Sequence, residues 1–175
     1  MKKKLIVALC CMATLIAACK KKPVDPEPDP QPVDYAVNYV GNYLGQFTLT
    51  IATMNNEPAT NLSFPIDGVH MDIAKGEQDN TITATVTVDN ESHQTSGTTT
   101  ADKADFESVH LKIDKPDQQY AFDLDLKLEG NKPTSDSLNV VGTFSGNGMF
   151  VFMGQMNVLD EVSGTVKGKL AKPQQ

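Results

Sequence analysis

Over long stretches this chain places an apolar residue at every second position, and that period constrains its fold more than any other feature. Tyr120, Phe122, Leu124, Leu126 and Leu128 alternate with Asp123, Asp125, Lys127 and Glu129. Ile82, Ala84, Val86 and Val88 alternate with Thr81, Thr83, Thr85 and Thr87, and Tyr43, Phe47, Leu49 and Ile51 with Gln46, Thr48 and Thr50. A strand sends successive side chains to opposite faces, so each segment has one apolar and one wet side. Antiparallel sheets with one face toward water have that pattern.

Other segments extend it. Val109, Leu111 and Ile113 form a strand that stops at the turn signal Lys115-Pro116-Asp117; Leu138, Val140 and Phe144 form another; Val162, Val166 and Leu170 form the last. Leu62, Phe64 and Ile66 are out of phase with Val69, Met71 and Ile73, and either a hairpin or a bulge at Asp67-Gly68 would bring all six to one face. Ala101 to Glu107 has room for a helical turn or two at most, and Ser92 to Thr100 reads as a polar edge strand or a mobile hairpin tip. Met149 to Met153 is apolar on both faces, which predicts that it is covered on both sides or lodged at an interface. Core filling is the ordinary role for Met149, Met153 and Met156, and an adaptable contact surface is the other.

About eight to ten short strands suit either a closed meander or a two-sheet sandwich. Paired glycines favour closure. Gly41-x-Tyr43-x-Gly45 recurs in form as Gly142-x-Phe144-x-Gly146 and Gly164-x-Val166-x-Gly168, with both glycines on the apolar face. Inner-face glycine permits the tight coiling that a barrel needs. The expectation is a single antiparallel up-and-down β-barrel of about eight strands whose first and last strands meet, with a β-sandwich as the alternative.

The amino terminus is of another kind. Lys2, Lys3 and Lys4 precede a mostly apolar run from Leu5 to Ala18, too short to span a bilayer as a helix and suited to a signal peptide. It ends in Leu15-Ile16-Ala17-Ala18-Cys19, which resembles the lipobox of bacterial lipoproteins; a plain secretory peptide with an incidental Cys is the other reading. The resemblance implies cleavage before Cys19 and acylation of that residue, and two acyl chains plus the terminal modification anchor stably where one does not. The expected organisation is a signal peptide over 1–18, a lipidated Cys19 with a Pro-rich tether over 19–34, and a barrel domain over 35–175. Pro23, Pro26, Pro28, Pro30 and Pro32 make the tether extended, with a reach of about 37 Å at ~3.1 Å per residue from Pro23 to Asp34.

Composition narrows the partners. All three Cys lie at or before Cys19, so the mature body has neither a disulfide nor a thiolate site. Every basic residue is Lys. Without Arg the bidentate readers of phosphate and guanine are missing, which argues against nucleic acid. With Lys2 to Lys4 gone, 12 Lys face 22 acidic residues, a net charge of −10.

The strand opening at Gly41 to Phe47, with Thr48-Leu49-Thr50 after it and a similar strand near the end of the chain, resembles the calycin-like β-barrel lipoproteins of the Bacteroides group. The resemblance spans about Val40 to Leu170. It implies an eight-stranded, lipocalin-like barrel and localisation to the outer membrane, facing either the periplasm or the exterior. Lipocalins proper carry a Gly-x-Trp near the first strand and an Arg near the last, and this chain has neither Trp nor Arg. Asp136-Ser137-Leu138 resembles the sequence at which these organisms attach O-glycans; an ordinary turn into a strand explains it equally well.

No catalytic constellation stands out. His70 and Asp72 would share a polar strand face, which is half a metal site or an orienting pair, but the ordinary reading is a wet surface. His110 alternates with apolar neighbours and should point outward, and His93 falls in a polar loop. Asp123 and Asp125 have the spacing of a glycosidase pair, yet two carboxylates on an exposed strand face read first as ordinary wet surface. The expected function is therefore non-enzymatic, without metal or cofactor: a membrane-anchored module that holds a small apolar or amphipathic ligand inside the barrel. Its lining would be Tyr43, Phe47, Leu49, Phe122, Leu124, Leu126 and Phe144. The alternative is a solid barrel that binds glycan or protein through its loops and outer surface, and a hydrolase at one barrel mouth is the least favoured.

Overall fold

The computed structural model describes residues 32–174, of which Asp34 onward forms one compact unit. Cys19, the expected signal peptide and most of the expected tether lie outside the described residues. The fold is all-β and antiparallel throughout. Its strands are β1 (Gly41–Met54), β2 (Glu57–Lys75), β3 (Thr81–Val88), β4 (Glu91–Thr99), β5 (Ala104–Phe106), β6 (Val109–Lys115), β7 (Tyr120–Thr134), β8 (Ser137–Phe152) and β9 (Gln155–Ala171).

Consecutive strands pair in order except β5 with β6, and two pairings close the ring. β1 pairs with β9 from Leu44↔Ala171 to Met54↔Val162, so the first and last strands meet. β5 bridges β4 to β7 through Ala104↔Gly130 and Asp105↔Glu129. β5 and β6 share one position along β7, split at Glu107-Ser108, which makes eight strand positions around the ring. The ring is thus a barrel of the expected up-and-down kind. Ala101 to Glu107, which had room for a helical turn or two at most, holds β5 instead, with Ala104 and Phe106 buried in the alternation of a strand.

Local sequence explains the joints. Three two-residue hairpin turns, Asn55-Asn56, Asp89-Asn90 and Met153-Gly154, have both residues at positive φ, the mirror-image turn whose twist suits paired strands. β2 is one long strand rather than a hairpin. Its partner register slips between Gly45 and Gln46, opposite Val69 and Asp67, and Gly68 takes up the extra residue at φ 72°. That bulge resets the phase, and Ile66, Val69, Met71 and Ile73 are all buried.

The inward glycines let neighbours approach. A Cβ on Gly146 would stand 2.1 Å from the Asp123 carbonyl oxygen, and one on Gly164 would stand 2.1 Å from that of Thr50. No real Cβ tolerates either distance, so the curl of the wall is written into these positions.

Both ends of the barrel are plugged. The proximal end is where the chain comes in: Asp34 pairs with Lys75 and accepts hydrogen bonds from the amides of Asn80 (2.9 Å) and Ala36 (3.1 Å). The Lys75 ammonium holds the Asp34 carboxyl below its usual range. A single 3₁₀ turn, Ala36–Asn38, then lies across the opening with Ala36 and Tyr39 buried, and the Tyr43 hydroxyl donates to the Tyr39 carbonyl (3.0 Å). Burial pushes the Tyr43 phenol up to about 12. Lys132 and Lys172 stand 5.9 and 5.6 Å from the Tyr43 ring centre, and desolvation, with Lys172 beside it, lowers Lys132. Toward the opposite, distal end, Phe64 of β2 packs edge-on against Tyr120 and Phe122 of β7 and Phe150 of β8, at 5.1, 5.0 and 5.5 Å. β2 and β7 lie on opposite sides of the ring, so this aromatic cluster spans the interior.

Candidate functional site

The seven side chains expected to line a ligand cavity do come together, but as core. Tyr43, Phe47, Leu49, Phe122, Leu124, Leu126 and Phe144 are only 0–4% exposed. A cavity able to hold a ligand would leave its lining in contact with space that a water molecule could fill, and these residues have almost none. Their partners are one another and the remaining buried strand residues. Two open grooves are present, one of about 740 Å³ over β3, β4 and β5 and another of about 520 Å³ over β6, β7 and β8.

Apolar surface that should be covered is found elsewhere. β8 and β9 outrun their neighbours at the distal end. β1 stops at Met54, opposite Val162, so β9 from Gln155 to Glu161 has β8 on one side and no strand on the other among the described residues. The break is fixed by Asn55. Its amide donates to the Glu161 carbonyl (2.8 Å), and its side-chain oxygen accepts from the amides of Asp160 (2.9 Å) and Glu161 (3.2 Å). The ladder slips here as well, with Gly146↔Val162 followed by Gly148↔Leu159, which leaves one extra residue in β9. Such a bulge bends the ribbon that follows it.

Elsewhere among the described residues the outer face of the strands is mostly polar, with Leu44 and Val141 as separate exposed apolar side chains. On this ribbon it is apolar. Met149 lies opposite Val158 and Val151 opposite Met156, two cross-strand pairs on the outward side. Met149, Val158 and Met156 are 43%, 61% and 66% exposed, and Phe152 and Met153 at the tip are 51% and 88% exposed. Exposed apolar side chains that adjoin one another across two strands form a patch rather than isolated exceptions. The expected core role for Met149, Met153 and Met156 is therefore corrected: the turn carries them beyond the reach of β1 and β2, and only Phe150 and Leu159 of this ribbon are buried.

Met153 makes the same point through its backbone. It sits at φ 51°, where the two sister turns have Asn55 (48°) and Asp89 (51°). Left-handed backbone is unfavourable for most side chains by about 1–2 kcal/mol and mild for Asn. Met153→Asn is accordingly expected to raise stability by about 1 kcal/mol, read as a higher denaturant midpoint with an unchanged slope. An unchanged or lower midpoint would mean that Met153 is there for the fold.

Two clusters arise from pairing between strands and were invisible in local sequence. His110 on β6 stands between Asp123 and Asp125 on β7, with Nε2 3.0 Å from Asp123 and Nδ1 3.1 Å from Asp125. The two carboxylates are thus bridged by an imidazole on an exposed face, where ion pairs contribute little. His93 is not in a loop. It lies on β4 in the inward phase, its ring 6.0 Å from that of His110 across the stretch where β4 and β6 do not pair. His70 and Asp72 are on one outer face as expected, opposite Thr87 and Thr85. Among the described residues no three His, Cys, Asp or Glu side chains are disposed to hold a metal. Ser137 opens β8, its hydroxyl 2.6 Å from that of Thr134.

No family model matches the chain, and no curated protein matches it in sequence.

Proposed function

We propose that this is a lipoprotein of the cell envelope, anchored to the outer membrane through acylated Cys19, whose solid barrel presents the β8–β9 ribbon to a partner. It is a binding module rather than a catalyst, and its likeness to the calycin-like lipoproteins lies in the architecture and not in an interior ligand site. The observation that carries this reading is the reversal of polarity on the ribbon: the barrel fills its inside with its own side chains and leaves Met149, Val151, Met156 and Val158 facing out. Met side chains are flexible and polarizable, which suits an adaptable contact. The strained Met153 fits a residue retained for contact at the expense of stability. The chain enters the barrel at its proximal end, at Asp34, and the ribbon is at the distal end.

The test has two parts. Cys19→Ala is expected to move the protein from the detergent phase to the aqueous phase in phase partitioning. A photoreactive residue at Met156 is expected to give a discrete adduct on intact cells, and the same residue at Lys127, on the polar wall, none. Equal adducts at both positions, or none at Met156, would remove the ribbon from consideration.

A further inference from the structure

The free side of the ribbon points to how its partner binds. In the β8–β9 hairpin the residues flanking the turn, Phe152 and Gln155, form a pair, as do Phe150 and Asn157. In a two-residue hairpin the flanking pair exchanges backbone hydrogen bonds, so the backbone groups of Gln155 and Asn157 face β8 and those of Met156 and Val158 face away from it. The Val158 carbonyl bears this out, since it accepts from the side-chain amide of Asn55 (3.4 Å) on the β1 side. The amide and carbonyl of Met156 and the amide of Val158 have no ladder partner among the described residues.

Strand edges of this kind are usually blocked by Lys, Pro, a covering element or a bulge. The segment Gln155-Met156-Asn157-Val158-Leu159 carries no charge and no Pro. Its bulge comes only afterwards, at Asp160-Glu161. Those two exposed carboxylates take part in no ion pair among the described residues and mark one end of the open edge.

We infer that the partner is an extended segment of another protein that adds as a strand to the β9 edge at Met156 and Val158, with apolar side chains at alternate positions and a Lys or Arg that meets Asp160 and Glu161. This rests on the ribbon being the binding surface and specifies how it binds. Main-chain hydrogen bonds supply affinity in such additions and alternate side chains supply specificity. The carboxylates select against rivals. From Asp34 onward nine Lys face nineteen acidic residues, so a second copy brings like charge, and an anionic bilayer does the same.

The experiment uses the secreted chain with Cys19→Ser, so that it stays in solution, and a peptide of alternating Val and Thr closed by Lys at each end. Amide hydrogen exchange is followed by NMR. The peptide is expected to slow exchange of the Met156 and Val158 amides by about tenfold or more, the scale of one hydrogen bond. A copy N-methylated at every residue, which keeps the apolar side chains and loses the amide donors of both edges, is expected neither to bind nor to slow that exchange. If both peptides bind alike and neither protects those amides, strand addition is wrong while the apolar ribbon stands as a contact surface. If neither binds, or if the ribbon instead takes the protein onto phosphatidylcholine vesicles or into a dimer in sedimentation, the partner proposed here is wrong.

Discussion

Phe122→Ala is expected to destabilise the domain by about 3–5 kcal/mol, the usual range for removing a buried aromatic ring. Phe122 is 3% exposed and packs edge-on with Phe64 across the barrel. The cluster around them closes the distal interior, so truncation leaves a void that opposing strands cannot collapse to fill. Urea denaturation of the full chain measures the effect. If Phe122 lined a cavity that was already there, the loss would be far smaller, because the ring would have few partners to lose on that side. A midpoint close to wild type would therefore argue for space inside the barrel.

Gly164→Val is expected to be at least as damaging, above about 3 kcal/mol, because the clash is with backbone as well as with a side chain. The first added carbon would lie 2.1 Å from the Thr50 carbonyl oxygen and 2.7 Å from the tip of the Phe144 ring. Thr50 is on β1 and Gly164 on β9, the two strands whose pairing closes the ring. To make room, β9 must move away from β1 and open the seam. Soluble yield and the urea midpoint report it. Gly164→Ala should show a smaller loss of the same sign, and a fully stable Gly164→Val protein would mean that the strands do not approach as described.

Much of the fold could be read from single segments, for a physical reason. Strand alternation is local, and residues such as Tyr120 to Leu128 carry their inward and outward faces in their own order. The glycine pairs extended that to closure, because a missing side chain on an inward face has meaning only if something comes close. What could not be read depends on where neighbours stop. Met149 to Met153 was visibly apolar on both faces, but whether a strand covers it is decided by Asn55-Asn56, a turn almost a hundred residues away, which ends β1 too early. The His110 cluster likewise needs the β6–β7 register, and the inward phase of His93 needs its pairing with Val86. The seven expected lining residues were correctly grouped on one face. Their role was not legible, because alternation distinguishes inside from outside and not a filled interior from an empty one.

The most direct measurement is the binding of an apolar fluorescent dye to the wild type and to the triple variant Met153→Asn, Met156→Thr, Val158→Thr, both confirmed folded by circular dichroism. A solid barrel with an uncovered ribbon should show weak dye binding that disappears in the variant and competes with the alternating Val and Thr peptide. One tightly held dye per barrel, unchanged in the variant, would place the apolar site inside and contradict it.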